Sequence, residues 1–172
     1  MRVLLRFLFI ALSILPSVSG VHAQSAPPPC QSEEYRQFDF WLGHWQVTQP
    51  DGTVAGTNRI SATYNGCVLQ EDYAVNGQPF GASLNAYDRV TGQWHQTWMD
   101  KNGTVLKLSG GIEQGSMVLS SHVTAADGKP ATHKITWQPQ PDGTVTQHWQ
   151  YKLDESEEWS TLFLGIYTRQ SS

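Results

Sequence analysis

The chain has 172 residues, with 11 basic against 15 acidic side chains, a formal charge of −4 at pH 7 and two cysteines. That balance gives no electrostatic reason to bind nucleic acid or an anionic membrane surface. The length suits one domain with a core large enough to fold alone and excludes a second.

In chain order, Arg2 and Arg6 accompany an apolar run that ends near Pro16, and a small-residue site follows at Val21-His22-Ala23. Basic start, short apolar core and small-residue end form the pattern of a secretory signal peptide, cleaved after Ala23. Ser13, Pro16, Ser17, Ser19 and Gly20 interrupt the apolar stretch before a bilayer is crossed, so no membrane span is expected after cleavage. Removing residues 1–23 leaves 149 residues and a formal charge of −6, and places the chain in the periplasm or outside the cell. Residues 24–31 read as a Pro-rich leader, an extended tether to a domain over residues 32–170. Cys30 and Cys67 are expected to pair in an oxidising compartment. Neither has a second Cys or a His at metal-ligand spacing, which argues against zinc.

Ser32 is placed to cap a short helix with Glu33 and Glu34 in its first turn, an apolar face at Tyr35, Phe38 and Trp41-Leu42, and a stop at Gly43. From Trp45 the period switches from helical to alternating. Strands are predicted over residues 45–49, 54–64, 67–75, 80–88, 93–100, 104–110, 116–123, 131–138, 144–153 and 159–168. Between them stand turn signals such as Pro50-Asp51-Gly52, Asn76-Gly77, Asn102-Gly103, Asp127-Gly128 and Asp142-Gly143, which favour tight antiparallel hairpins. A meander of about ten strands has exposed edges unless it closes, so the predicted fold is all-β, a single up-and-down antiparallel barrel with a short N-terminal helix. A two-sheet sandwich is the alternative, though it calls for longer crossovers.

The string Phe38-Asp39-Phe40-Trp41-Leu42-Gly43-His44-Trp45 carries a Gly-x-Trp opening that resembles lipocalins and related calycin barrels. Together with Asn65-Gly66-Cys67, Tyr87-Asp88, Thr91-Gly92 and Trp94 to Asp100, it resembles an uncharacterised family of bacterial exported domains. It is also similar in outline to nitrobindin-like and fatty-acid-binding barrels. The resemblance implies a lipocalin-like barrel and leaves the activity open.

No nucleophile elbow, zinc-protease, Cys-x-x-Cys, phosphate-loop, dinucleotide or calcium-loop motif is present in the sequence. What stands out instead is an aromatic and amide-rich set at alternating strand positions. Trp94, Gln96, Trp98 and Asp100 share one face, as do Val145, Gln147, Trp149 and Tyr151. These faces are read as inward, because Gln150 and Lys152 solvate readily outside whereas two indoles on the outer wall would leave apolar area in water. If Leu69 also points in, Glu71 and Tyr73 join them. The expected ligand-binding set is Trp45, Glu71, Tyr73, Gln96, Trp98, Gln147, Trp149 and Tyr167, around a small apolar or amphipathic molecule in the lumen. A barrel enzyme of isomerase or hydrolase type, with Glu71 or Asp100 as acid or base, is the first alternative, and the balance favours a binder. A structural or interaction domain of the cell envelope with a filled core is the second. A register slipped by one residue would turn His95, His133 and His148 inward, where they could hold a metal or haem iron. On the register adopted no cofactor or metal is expected.

Overall fold

The structure, a computed structural model, describes residues 28–171. The predicted signal peptide and the first half of the Pro-rich leader lie outside the described residues. Ten strands follow one another: β1 (Gly43–Thr48), β2 (Val54–Thr63), β3 (Val68–Val75), β4 (Gln78–Asp88), β5 (Gln93–Asp100), β6 (Val105–Glu113), β7 (Ser116–Thr124), β8 (Pro130–Pro139), β9 (Val145–Leu153) and β10 (Ser160–Arg169). Each pairs with its neighbour in the chain, and β1 pairs with β10, so the sheet closes into a ten-stranded barrel and the sandwich is excluded. All pairings are antiparallel. Closure removes the unpaired edges that a meander would otherwise present to solvent.

Two of the hairpins are set by residues in the left-handed region, Asn76-Gly77 at φ 51° and 70° and Gln114-Gly115 at 48° and 82°. Positive φ at both central residues matches the twist of the flanking strands and fixes their register. That register carries inside and outside around the ring, since side chains alternate strictly along each strand.

The short N-terminal helix predicted from sequence is present between Glu33 and Trp41, but it is 3-10 in type and lacks the predicted cap. It forms two 3-10 turns, Glu33–Arg36 and Asp39–Trp41, and Ser32 makes no side-chain capping bond to the first of them. The reason lies in packing: Phe38 and Trp41, both fully buried, are drawn into one end of the barrel. Their rings stack at 4.8 Å, and both meet Trp137, at 5.2 and 5.4 Å. Phe38 also meets Trp94 edge-on at 5.7 Å. Aromatic burial of this kind outweighs the modest gain of continuing a short helix.

Polar contacts seal the same end. Trp94 Nε1 donates to Glu34 O at 3.2 Å, Trp45 Nε1 to Trp41 O at 2.8 Å, and Arg169 Nη1 to Leu42 O at 2.8 Å. The expected disulfide joins Cys30 to Cys67 at the β2–β3 turn and ties the start of the plug to the barrel. Among the described residues no helix is long and apolar enough to cross a membrane.

Candidate functional site

With one end plugged, the lumen opens at the other, where the hairpins β1–β2, β3–β4, β5–β6, β7–β8 and β9–β10 turn. There the barrel holds a cavity of about 460 Å³, within the range of roughly 300–1,000 Å³ common for small-molecule sites. The lumen is therefore not filled by side chains. Seven of the eight residues expected from sequence to face a ligand line it: Glu71, Tyr73, Gln96, Trp98, Gln147, Trp149 and Tyr167.

Trp45 does not line it. Although it points inward as expected, it lies at the depth of the plug, stacked edge-on to Tyr167 at 6.1 Å with the Arg169 guanidinium 4.3 Å from its ring centre. The same parity that correctly turned it inward says nothing about its depth along the barrel axis. Asp100, the other acid-base candidate, is also absent from the cavity wall. Its Oδ1 accepts from the backbone N–H of Asn102 at 2.8 Å and of Thr104 at 3.1 Å, closing the β5–β6 turn. Desolvation pulls its pKa up, but these turn N–H groups prevail and hold the carboxyl below its ordinary value, unsuited to proton exchange near neutrality.

The histidines do not converge. His95 and His148 lie outside, bonded to Thr91 and Thr161, on the face opposite Trp98 and Trp149. His133 alone takes the inward parity, beside Ile135. It accepts from Trp149 Nε1 at 3.0 Å, which fixes that indole on the wall, and burial pulls its pKa down, consistent with a neutral ring acting as acceptor. The described residues contain no cluster of three or more His, Cys, Asp or Glu suited to a metal.

Two glycines make room for the rings. A Cβ at Gly81 would come within 2.5 Å of the Trp98 indole, and one at Gly56 within 2.8 Å of the Tyr73 hydroxyl. With no side chain there, both rings lie back against the wall instead of closing the lumen. On β10 a register shift between Thr161 and Phe163 brings Leu162 and Phe163 together onto the cavity wall. Strict alternation from Trp159 misses that. Trp159 itself packs outside, under Lys134 at 4.1 Å and Lys152 at 5.4 Å.

The floor is a hydrogen-bonded polar belt. Asn58 Nδ2 donates to Glu71 Oε1 at 2.7 Å, and Ser83 Oγ to Glu71 Oε2 at 2.5 Å. Asn85 Nδ2 donates to Ser83 Oγ at 2.9 Å, and Gln96 Nε2 to Asn85 Oδ1 at 2.8 Å. On the far side Tyr167 donates its hydroxyl to Gln147 Oε1 and accepts from Asn58 Nδ2 at 3.3 Å. Asn58, Ser83 and Asn85 were not anticipated from sequence. Their signal was the β2–β3–β4 register, which sets Ser83 opposite Glu71 and Asn85 opposite Leu69.

Glu71 is the chemically distinctive member. It is 4% exposed and lines the cavity, and burial raises its pKa to about 7 against the lowering pull of Ser83 and Asn58. Burial also pushes Tyr73 up to about 12 and Tyr167 well above its ordinary value, so both phenols stay neutral. The site thus joins an aromatic wall open to solvent, a neutral amide and hydroxyl belt, and one carboxyl poised between its two protonation states. No family model matches the chain, and no curated protein matches it in sequence.

Proposed function

We propose that the chain is an exported, lipocalin-like barrel that binds a small apolar or amphipathic molecule in its lumen. The observation that carries this reading is the cavity of about 460 Å³, walled by Phe80, Trp98, Trp149 and Phe163 and floored by a hydrogen-bonded polar belt. An aromatic wall facing solvent is covered favourably by an apolar guest, which removes that surface from water. The disulfide supports export, since such bonds persist in oxidising compartments. The FDFWLGxW likeness to exported bacterial domains points the same way. Val54 and Leu162, both exposed at the mouth, give an apolar guest a lip to cross.

The test is a titration of an environment-sensitive apolar dye, read by energy transfer from the lumen tryptophans, on the parent and on Gly81→Ala. The added Cβ pushes the Trp98 indole toward the lumen and crowds Met99 O at 2.9 Å, so the variant should be less stable than the parent and, at temperatures where circular dichroism shows it folded, bind more weakly. Unchanged binding in a variant with a shifted Trp98 would place the dye elsewhere and overturn the reading.

A second reading is favoured by one observation, the Glu71 carboxyl with a pKa of about 7 on the cavity wall. A general acid or base works best when its pKa lies near the operating pH. An enzyme that uses it would lose turnover and keep binding in Glu71→Gln.

A further inference from the structure

The chemistry of the cavity floor points to a class of guest, an inference that rests on the lumen being a binding site. Among the described residues that line the cavity none is Lys, Arg or His. A ligand carboxylate or phosphate would find no cation there and would lie against Glu71 instead. Glu71 accepts two hydrogen bonds, from Asn58 and Ser83, whereas a carboxylate offers about four lone-pair sites. Gln96 commits its Nε2 to Asn85, which leaves its carbonyl oxygen as a further acceptor. The mouth carries the same sign. Its hairpin loops at 49–53, 101–104, 125–129 and 154–159 hold Asp51, Asp127, Asp154, Glu155, Glu157 and Glu158 against Lys101 and Lys129. Lys129 is moreover paired with Glu155 at 2.5 Å.

We propose that the lumen takes an organic cation, an amine carried on an apolar body, whose N–H groups are donated to Glu71 and Gln96 while the body lies between Phe80, Trp98 and Trp149. A charge-assisted bond from an ammonium is roughly twice as strong as a neutral one, and it compensates a carboxylate that burial otherwise disfavours. The acidic mouth draws cations toward the cavity and repels anions.

The groups facing Glu71 leave it in sole control of charge at the floor. Tyr73 on its own strand and Tyr167 on β10 stay neutral, β2 and β4 contribute Asn58 and Ser83, and β5 and β9 contribute Gln96 and Gln147. Asp72, on the outer face, raises the Glu71 pKa slightly and is itself paired with Arg59 at 3.0 Å. On β8, His133 is engaged by Trp149. A bound ammonium holds Glu71 ionised, so amine binding tracks the ionised fraction, which falls about tenfold from pH 8 to pH 6 for a pKa of about 7.

Three probes of equal length decide the matter: octylamine, octanol and octanoate, followed by tryptophan fluorescence and calorimetry on the full processed chain. At pH 8 octylamine should bind about tenfold tighter than octanoate. Its affinity should fall about tenfold at pH 6, and octanol should bind equally at both pH values. In Glu71→Gln the amine preference and its pH dependence should vanish while octanol binding persists. Should that variant fail to fold, the parent still decides: calorimetry at pH 7 in two buffers of different ionisation enthalpy should detect about half a proton released per amine bound. Octanoate binding as tightly as octylamine, or amine binding without proton release, overturns the cation assignment and leaves the lumen a binding site. If none of the three binds, the binding-site reading falls, and this inference with it.

Discussion

Replacing Glu71 by glutamine isolates a single titration in the folded chain. Folding moves the Glu71 pKa from an ordinary 4.5 to about 7, mainly through burial, so between those values the folded state keeps a proton that the unfolded state has released. The stabilisation associated with that proton is fully present below pH 4.5 and is lost as pH rises through 7. Each pH unit in that window is worth about 1.4 kcal/mol, and the whole window about 3 kcal/mol in order of magnitude. Glutamine mimics the protonated carboxyl in size and neutrality. Its Oε1 can still accept from Asn58, and its Nε2 faces Ser83, whose hydroxyl is free to rotate. Other shifted groups, such as Asp39, raised by burial, and Asp142, lowered by the backbone N–H of Thr144, titrate in both proteins and cancel in the difference. Urea unfolding with the disulfide intact, run from pH 5 to pH 8, should therefore show Glu71→Gln close to the parent at pH 5 and more stable by about 3 kcal/mol at pH 8. Parallel stability curves across that range would refute a buried carboxyl titrating near neutrality, and with it the electrostatic reading of the cavity floor.

Two further perturbations probe the plugged end. The Cys30–Cys67 bond spans a sequence separation of 37 residues, for which the chain-entropy argument gives about 4 kcal/mol; the double serine variant should unfold at correspondingly lower urea and still give a β-rich circular dichroism spectrum. Phe38→Ala removes a fully buried ring that contacts Phe40, Trp41, Trp94 and Trp137. It should destabilise the chain by about 3–5 kcal/mol and raise the accessibility of Trp41 and Trp94 to an aqueous quencher, and an unchanged quenching profile would mean that the ring does not seal the barrel.

Much of this architecture is legible because an antiparallel hairpin transmits information. Once Lys152 is assigned to solvent, Trp149 must point inward, and pairing carries the choice from strand to strand: Trp149 faces Ile135, Gln147 faces Trp137, and Gly165 faces Gln147. Glu71, Gln96 and Tyr167 follow from the same parity. What alternation lacks is a coordinate along the barrel axis, since a period of two distinguishes faces and not depths. Trp45, Trp98 and Asp100 all point toward the interior side, yet the first belongs to the plug, the second to the cavity and the third to a turn. Their fates are set by where the N-terminal segment packs, and that depends on contacts between Phe38 and residues 56 and 99 positions further along the chain, Trp94 and Trp137. A local sequence pattern does not contain such contacts. The uncapped helix and the depth of Trp45 thus have one cause: the aromatic string at 38–45, which carries the family-like motif, packs into and closes one end of the barrel. Closing one end there is also what leaves Glu71 at the bottom of a blind cavity, buried enough to titrate near neutrality and still part of its wall. The motif most recognisable in sequence therefore acts on the site indirectly, by deciding which end of the lumen is open.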